Sequence, residues 1–434
     1  MTTDIQIKVQ NLNKNKDSYL FYSFIVAVFL LFFVRDALKI NFNSYIFLLL
    51  LAVVIPFLSN TQIVSISVAL PIFGNGIQDN YLVLLIIIAL IIKNRSTISI
   101  NMQILLLLFI IVHEIIHAYI YQFDVMEYLR DILSYVLLFV ILFTKGLNLD
   151  FNAIKKAFVI SLTYLIILLL LMSLIEYKWD VSQFVSSGLR FGFTKFDSDN
   201  NLILSLNQNY LGLLVILGLQ IILFSQVFSK KTSFIIALLL LMSGLLTQSR
   251  TFVILLLLTF ISIIITSRLR KSITFVSLFT ILLLAFSLTN LDVVDNIIVR
   301  FHYQDISNGR IDIFRQYNDL FYNNFKVFLL GTGIQNSKVI IDEGLINSPH
   351  NIFQESILIW GFIGPVIVVI LFIMIIMKIY NSKRDYDVNL TPLIALFLYL
   401  QVAQILRAES SLLLFIIATL GCLITKKRND NYEI

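Results

Sequence analysis

The feature that most constrains this chain is a succession of apolar runs such as "QILLLLFIIVHEIIHAYIY" (103–121) and "LIILLLLMSLIE" (165–176). Water does not tolerate so much continuous apolar surface, and a bilayer requires it, because a crossing helix takes ~20 mostly apolar residues. Of the 434 residues 59% are hydrophobic and only 13% charged, with a mean hydropathy of +0.91. The runs show no alternation of polar and apolar residues, which excludes a transmembrane β-barrel. Candidate spans fall at 19–34, 44–59, 61–73, 80–92, 102–121, 127–144, 157–175, 207–228, 233–248, 250–267, 272–288, 353–377, 390–406 and 409–425. The expected fold is an all-α polytopic membrane protein with about 12–14 transmembrane helices. Segment 61–73 is short and punctuated by Pro71 and Gly74, so it is either re-entrant or paired with its neighbour.

The net charge of +6 invites a nucleic-acid reading, but the basic residues cluster in short segments between apolar runs. These clusters are Lys8/Lys14/Lys16, Lys93/Arg95, Lys145/Lys155/Lys156, Lys230/Lys231, Arg268/Arg270/Lys271, Lys378/Lys383/Arg384 and Lys426/Lys427/Arg428. If every span crosses, all of them fall on one side, which the positive-inside rule makes cytoplasmic. Both termini are then cytoplasmic, and no nucleic-acid partner is expected. The first run follows a lysine-bearing tail without a small-residue cleavage site and reads as a retained helix. The single cysteine, Cys422, permits no internal disulfide. The expected organisation is N-terminal helices at 1–175, a first extracytoplasmic loop at 176–206, central helices at 207–288, a large extracytoplasmic loop at 289–352, and C-terminal helices at 353–434. No nucleotide-binding G-x-x-x-x-G-K-[ST] occurs, which argues against ATP as the energy source.

Arginine is costly in or near a bilayer, so its placement carries information. Arg190, Arg300, Arg310 and Arg315 fall in the two outer loops, and Arg250 and Arg407 at outer turns. Each guanidinium offers a planar fork that matches phosphate oxygens. Each alone is equally well read as snorkelling to headgroups or pairing with an aspartate; as a group they point to a polyanionic ligand. His350 follows Pro349 at the start of a helix, with Asn351 beside it and Glu355 about one turn deeper. Its imidazole is a candidate proton acceptor near neutral pH, or simply a histidine that bonds loop backbone.

The C-terminal half resembles the O-antigen polymerase and O-antigen ligase superfamily of bacterial membrane glycosyltransferases. The residues that carry the likeness are "LTQSRTFVILLLL" (246–258), "NGRIDIFRQ" (308–316), "LLGTGIQNS" (329–337) and "SPHNIFQESILIWGFIGPV" (348–366), with "GLRFGF" (188–193) and "NQNYLG" (207–212) upstream. They run in the family's order and cover roughly residues 188–380; the N-terminal helices agree only in hydropathy. The resemblance implies a GT-C-like helical fold in the bacterial cytoplasmic membrane, and an undecaprenyl-pyrophosphate-linked glycan as donor and as acceptor. It implies Arg190, Arg250 and Arg310 as pyrophosphate ligands and His350 as general base or orienter of the acceptor hydroxyl. Arg315, Asn351, Glu355 and Arg407 join the expected glycan- and pyrophosphate-binding set. The implied reaction inverts the anomeric centre without metal or other cofactor, and polymerisation of repeat units is preferred over ligation to lipid A-core or protein. Membrane lipids, a flippase and a chain-length regulator are the further partners so implied.

Two other patterns compete. His113-Glu114-Ile115-Ile116-His117 is the H-E-x-x-H of zinc proteases, with both imidazoles on one helix face. A catalytic zinc needs a third ligand, and the N-P-D-G-like stretch that supplies it in intramembrane proteases is absent, leaving only His302 and His350 as distant donors. The preferred reading is a hydrogen-bonded polar cluster that pairs with Arg130 or lines a lipid-glycan groove. Asp197 and Asp199 form a D-x-D, which binds metal in nucleotide-sugar transferases; on an outer loop a solvated turn is the better reading. A transporter or flippase for lipid-linked sugars is the remaining alternative, although such proteins tend to be built from repeated halves and no internal repeat is visible here.

Overall fold

A backbone inside hydrocarbon has no water to bond to, so each apolar run closes its hydrogen bonds internally as a helix. The computed structural model describes residues 19–40, 43, 45–70, 79–95, 102–122, 125–144, 146–180, 207–247, 249–265, 309–342, 349–403, 406 and 412–425. The first half contains α1 (Tyr19–Ala37), α2 (Tyr45–Val54), α3 (Asn60–Ala69), α4 (Asp79–Asn94), α5 (Met102–Tyr121), α6 (Val125–Phe143) and α7 (Phe151–Glu176). After these come α8 (Gln208–Phe224), α9 (Lys230–Leu246), α10 (Arg250–Ile265), α11 (Arg310–Asn323), α12 (Phe325–Leu330) and α13 (Gly333–Asp342). The last helices are α14 (Ile352–Trp360), α15 (Gly364–Asn381), α16 (Thr391–Leu400) and α17 (Leu413–Gly421). Among the described residues, Tyr19–Ala37, Gln103–Tyr121, Phe151–Ile175 and Ile352–Arg384 are long and apolar enough to cross a membrane, and shorter apolar helices surround them. The chain is an all-α polytopic membrane protein. Its small departure from all-helix is an antiparallel pair, β1 (Tyr386–Val388) with β2 (Leu423–Thr425), in the register Tyr386↔Thr425.

Four of the expected spans take a different form, and the expected span 272–288 lies outside the described residues. The segment at 61–73 becomes α3, opened by a capping box in which Ser59 and Gln62 exchange backbone and side-chain hydrogen bonds. Its 10 residues rise only about 15 Å, and Ile63 to Ala69 are all buried, so α3 is enclosed by its neighbours. The run at 353–377 is broken at Gly361, whose φ of +69° ends α14 before α15 begins. The runs at 390–406 and 409–425 shorten to α16 and α17, of 10 and 9 residues. Each rises about half of the ~30 Å hydrocarbon core, and the described part of the turn between them includes Leu406, only 2% exposed.

The break at Gly361 has a close partner. Gly331, at φ +73°, has no room for a side chain because the Ile359 carbonyl and the Gly361 amide stand where a Cβ would go. Gly361 meets the Leu329 backbone in the same way. Two chain segments therefore cross backbone against backbone, and Thr332 fastens them: its N–H and its hydroxyl each donate to Leu358 O at 2.8 Å.

At the opposite end of the bundle, side chains tie the basic segments together. Asn60 donates to Asn94 Oδ1 at 2.8 Å and to Leu147 O at 3.2 Å. Lys155, 1% exposed, donates to Leu423 O at 2.7 Å and to Ser225 Oγ at 3.1 Å. Asn152 reaches Thr425 at 2.7 Å.

The glycine crossing gives a graded prediction. Gly309 also has positive φ, +74°, but has open space where a Cβ would lie. Gly309→Ala should cost only the left-handed backbone penalty of about 1–2 kcal/mol. Gly331→Ala adds collision with backbone and should lower the melting temperature of the detergent-solubilised protein by a clearly larger amount. Equal shifts for the two variants would contradict the crossing.

Candidate functional site

Several helix starts meet at the other end of the bundle, each built by a residue of the quoted motifs. Asn207 caps α8 by accepting from Asn209 N at 2.8 Å. Ser249 donates to Asn209 Oδ1 at 2.7 Å and accepts from Phe252 N at 3.3 Å, which joins the start of α10 to that of α8. Gly212 permits this approach, since a Cβ there would lie 3.2 Å from the Cβ of Phe252. Asn351 caps α14 by accepting from Phe353 N (2.9 Å) and Gln354 N (3.3 Å), while its Nδ2 donates to Gln401 Oε1 at 3.0 Å. The "NQN", "SR" and "HN" motifs thus first of all define where helices begin.

Arg250 and Arg310 each occupy the first position of a helix, α10 and α11. α11 lies against α14 through Ile313, Tyr317 and Phe321, one buried stripe that packs on Val327 and Leu358. Gln354 pins it further, donating to Phe314 O at 2.9 Å and to Asn318 Oδ1 at 3.1 Å. The packing brings the Arg310 guanidinium into repulsive reach of Arg250 and into the field of Tyr399. Burial, and then the neighbouring Arg250, depress the basicity of Arg310. His350 stands within the field of Arg310; burial first and that charge second hold its imidazole below the usual histidine range. His350 Nδ1 is buried without a hydrogen-bond partner among the described residues, as are Gln208 Oε1 and Gln354 Oε1.

Of the expected site residues the structure gathers Arg250, Arg310, His350 and Asn351. Arg315 points elsewhere: it is exposed on the solvent face of α11 and pairs with Asp312 at 3.7 Å. Such an exposed pair contributes little. Glu355 is fully buried and accepts from Leu406 N at 3.2 Å, so its carboxyl supports the turn between α16 and α17. Arg190, Arg300, Arg407, Asp197, Asp199 and His302, and the side chain of Arg130, lie outside the described residues. Tyr399, Tyr210 and Gln401 also stand at the site. Nothing in the sequence singled out Tyr399 or Gln401, and Tyr210 entered only within the quoted "NQNYLG" stretch, because each is one polar residue in or beside an apolar run.

The H-E-x-x-H segment is held in hydrogen bonds to distant parts of the chain. Both oxygens of Glu114, which is fully buried, accept protein donors: Oε2 from Ile334 N at 2.9 Å and Oε1 from Trp360 Nε1 at 3.1 Å. His113 Nε2 donates to Leu330 O at 3.1 Å, and His117 Nδ1 donates to His113 O at 3.0 Å. The two rings stack with centroids 4.1 Å apart. Among the described residues no group of three His, Cys, Asp or Glu side chains converges to hold a metal. The segment is a hydrogen-bonded cluster that grips the Gly331–Gly333 turn and the end of α14.

Residues 234–370 match the Wzy_C family, O-antigen ligase. The match takes in most of α9, all of α10 to α14 and the start of α15, and contains Arg250, Arg310, His350 and Asn351. The resemblance to the O-antigen polymerase and ligase superfamily thereby rests on a second footing. It supports a glycosyltransferase-like role in assembling bacterial surface glycan at a membrane. No curated protein matches the chain.

Removing the Glu114 carboxyl by Glu114→Ala strands two buried donors, and each unsatisfied group costs roughly 1–3 kcal/mol. Trp360→Phe removes one of those donors and should cost less. In a double-mutant cycle of melting temperatures in detergent, the combined variant should lose less than the sum of the single losses. Strict additivity would mean that the two side chains do not interact.

Proposed function

We propose that this protein polymerises undecaprenyl-pyrophosphate-linked oligosaccharide repeat units at the outer face of the bacterial cytoplasmic membrane. The observation that carries the reading is the meeting of Arg250 and Arg310, each at a helix N-terminus, in mutually repulsive reach beside His350. Two guanidiniums within each other's field favour an anion that can lie between them. Helix N-termini add unpaired backbone N–H groups and positive dipole ends, which favour phosphate. A lipid diphosphate is such an anion.

The chemistry follows from these parts. The acceptor hydroxyl oxygen attacks the anomeric carbon of the donor, the bond from that carbon to the pyrophosphate oxygen breaks, and polyprenyl pyrophosphate departs with the electron pair. The hydroxyl proton passes to His350, which its surroundings keep neutral and able to accept. The charge growing on the leaving group is met by the two guanidiniums, a role that otherwise falls to a metal. One displacement inverts the anomeric centre and needs no covalent intermediate. Arg190 and Arg407 remain further candidates for the diphosphate. The description of the matched family favours a second reading, ligation of the glycan to lipid A-core or a protein, which would use the same donor site with a different acceptor.

The decisive experiment is turnover of a defined undecaprenyl-linked repeat by the purified protein. Chains of several repeats support the polymerase; a single transfer to an added lipid A-core acceptor, with no chain growth, supports the ligase; no transfer to either acceptor overturns both. Arg250→Lys and Arg310→Lys keep the charge but lose the fork, and each should cut turnover about tenfold or more. Full activity in both would remove the clamp.

The pH profile tests His350 separately. Its depressed pKa means that the base form persists below the ordinary value of ~6.5, so the acid limb of kcat/KM should lie under pH 6.5. Arg310→Gln removes a neighbouring positive charge, which raises the imidazole pKa and moves the limb of the residual activity upward. Arg310→Lys keeps the charge and should leave the limb in place.

A further inference from the structure

Two lysines near the basic end of the bundle differ in how their ammonium groups are satisfied. Lys155, in the first turns of α7, is buried and its two acceptors come from within the protein. Lys378, in the last turn of α15, is half-buried and has no ion pair or side-chain hydrogen bond among the described residues. The carboxyl of Asp150, at the start of α7, is already taken as the cap of that helix, accepting from Asn152 N and Ala153 N.

Lys378 instead lines a cavity of about 280 Å³ between the α6–α7 turn, α15 and the end of α17. Its remaining walls are almost wholly apolar, with Leu142, Leu147, Phe151, Leu420 and Leu423 prominent among them. A pocket of hydrocarbon character with one cation on its wall suits an amphiphile with a negative head. Lys383 and Arg384 follow within two turns of chain but are succeeded by Asp385 and Asp387, so the cation that belongs to the cavity itself is Lys378. The position at the end of a membrane-crossing helix is the depth at which phospholipid headgroups lie.

We propose that this cavity binds an anionic phospholipid of the surrounding bilayer, with its phosphate on Lys378 and part of an acyl chain in the apolar pocket. The site lies at the end of the bundle opposite to Arg250, Arg310 and His350 and stands apart from the glycan chemistry. By the positive-inside rule it faces the inner leaflet.

The test uses the full chain, purified in detergent and titrated with phosphatidylglycerol or phosphatidylcholine, with binding read by native mass spectrometry and by melting temperature. The wild type should bind phosphatidylglycerol roughly tenfold more tightly than phosphatidylcholine, the order of one charge-assisted hydrogen bond. Lys378→Gln should abolish that preference, Lys378→Arg should keep it, and Lys383→Gln, at the same membrane level, should leave it intact. Equal binding of the two lipids by the wild type would overturn the site, and that comparison needs no variant. A preference that survives Lys378→Gln, or one lost equally in Lys383→Gln, would reduce the effect to diffuse surface attraction and overturn it as well.

Discussion

The arrangement depends on one buried carboxyl. Glu114 lies on α5, far in sequence from its partners, yet it accepts from Ile334 at the start of α13 and from the indole of Trp360 at the end of α14. A polar group placed inside an apolar bundle is costly unless its hydrogen bonds are complete. Glu114 recovers that cost from two donors that would themselves be stranded: an orphan N–H of a helix N-terminus and a buried indole. The mutual need makes the contact specific. It sets α14 at one height against α5, and the other end of α14 begins at Asn351, next to His350. The Gly331–Gly361 crossing and the Thr332 bonds to Leu358 lock the same junction from the other side. The end of the molecule that carries Arg250, Arg310 and His350 is therefore referenced to α5, outside the segment that carries the family match.

Much of the fold was legible because a bilayer leaves few options. Continuous apolar runs must be helices, and the sequence boundaries of α5, α6 and α8 are close to those observed. The failures occur where a helix is interrupted by long-range contacts. Nothing in the apolar run marks Gly361 as a break, yet its φ is +69° and the Leu329 backbone lies where its Cβ would go. The short α16 and α17 could not be told from full crossings, since hydropathy measures greasiness and not where a turn falls.

The site was legible in its order and not in its roles. Arg250, Arg310 and His350 were picked out for charge and position, and they do meet. Asn351 was expected to bind glycan or pyrophosphate, while its side-chain oxygen caps a helix, as does that of Asn207 in the "NQN" stretch. Arg315 has the same chemistry as Arg310 but lies five positions further on α11, which turns it to the opposite face, toward solvent. The histidines at 113 and 117 fit zinc spacing because both tasks need two side chains on one helix face. Only their partners at Leu330 and at His113's own carbonyl distinguish the uses.

Glu114 and Glu355 solve one problem twice. Backbone that leaves the helix within membrane depth must find donors and acceptors in the protein. Glu114 serves the turn before α13, and Glu355 serves Leu406 in the turn between α16 and α17. Both irregular turns stand beside the helix α14, which Asn351 begins and Trp360 ends. The start of α14, capped by Asn351, stands at the same end of the bundle as the starts of α10 and α11 that carry Arg250 and Arg310. A straight full-length helix would carry those termini past the site to the membrane surface. Interruption, stabilised by the buried carboxyls of Glu114 and Glu355, is what lets a greasy bundle hold a polar centre.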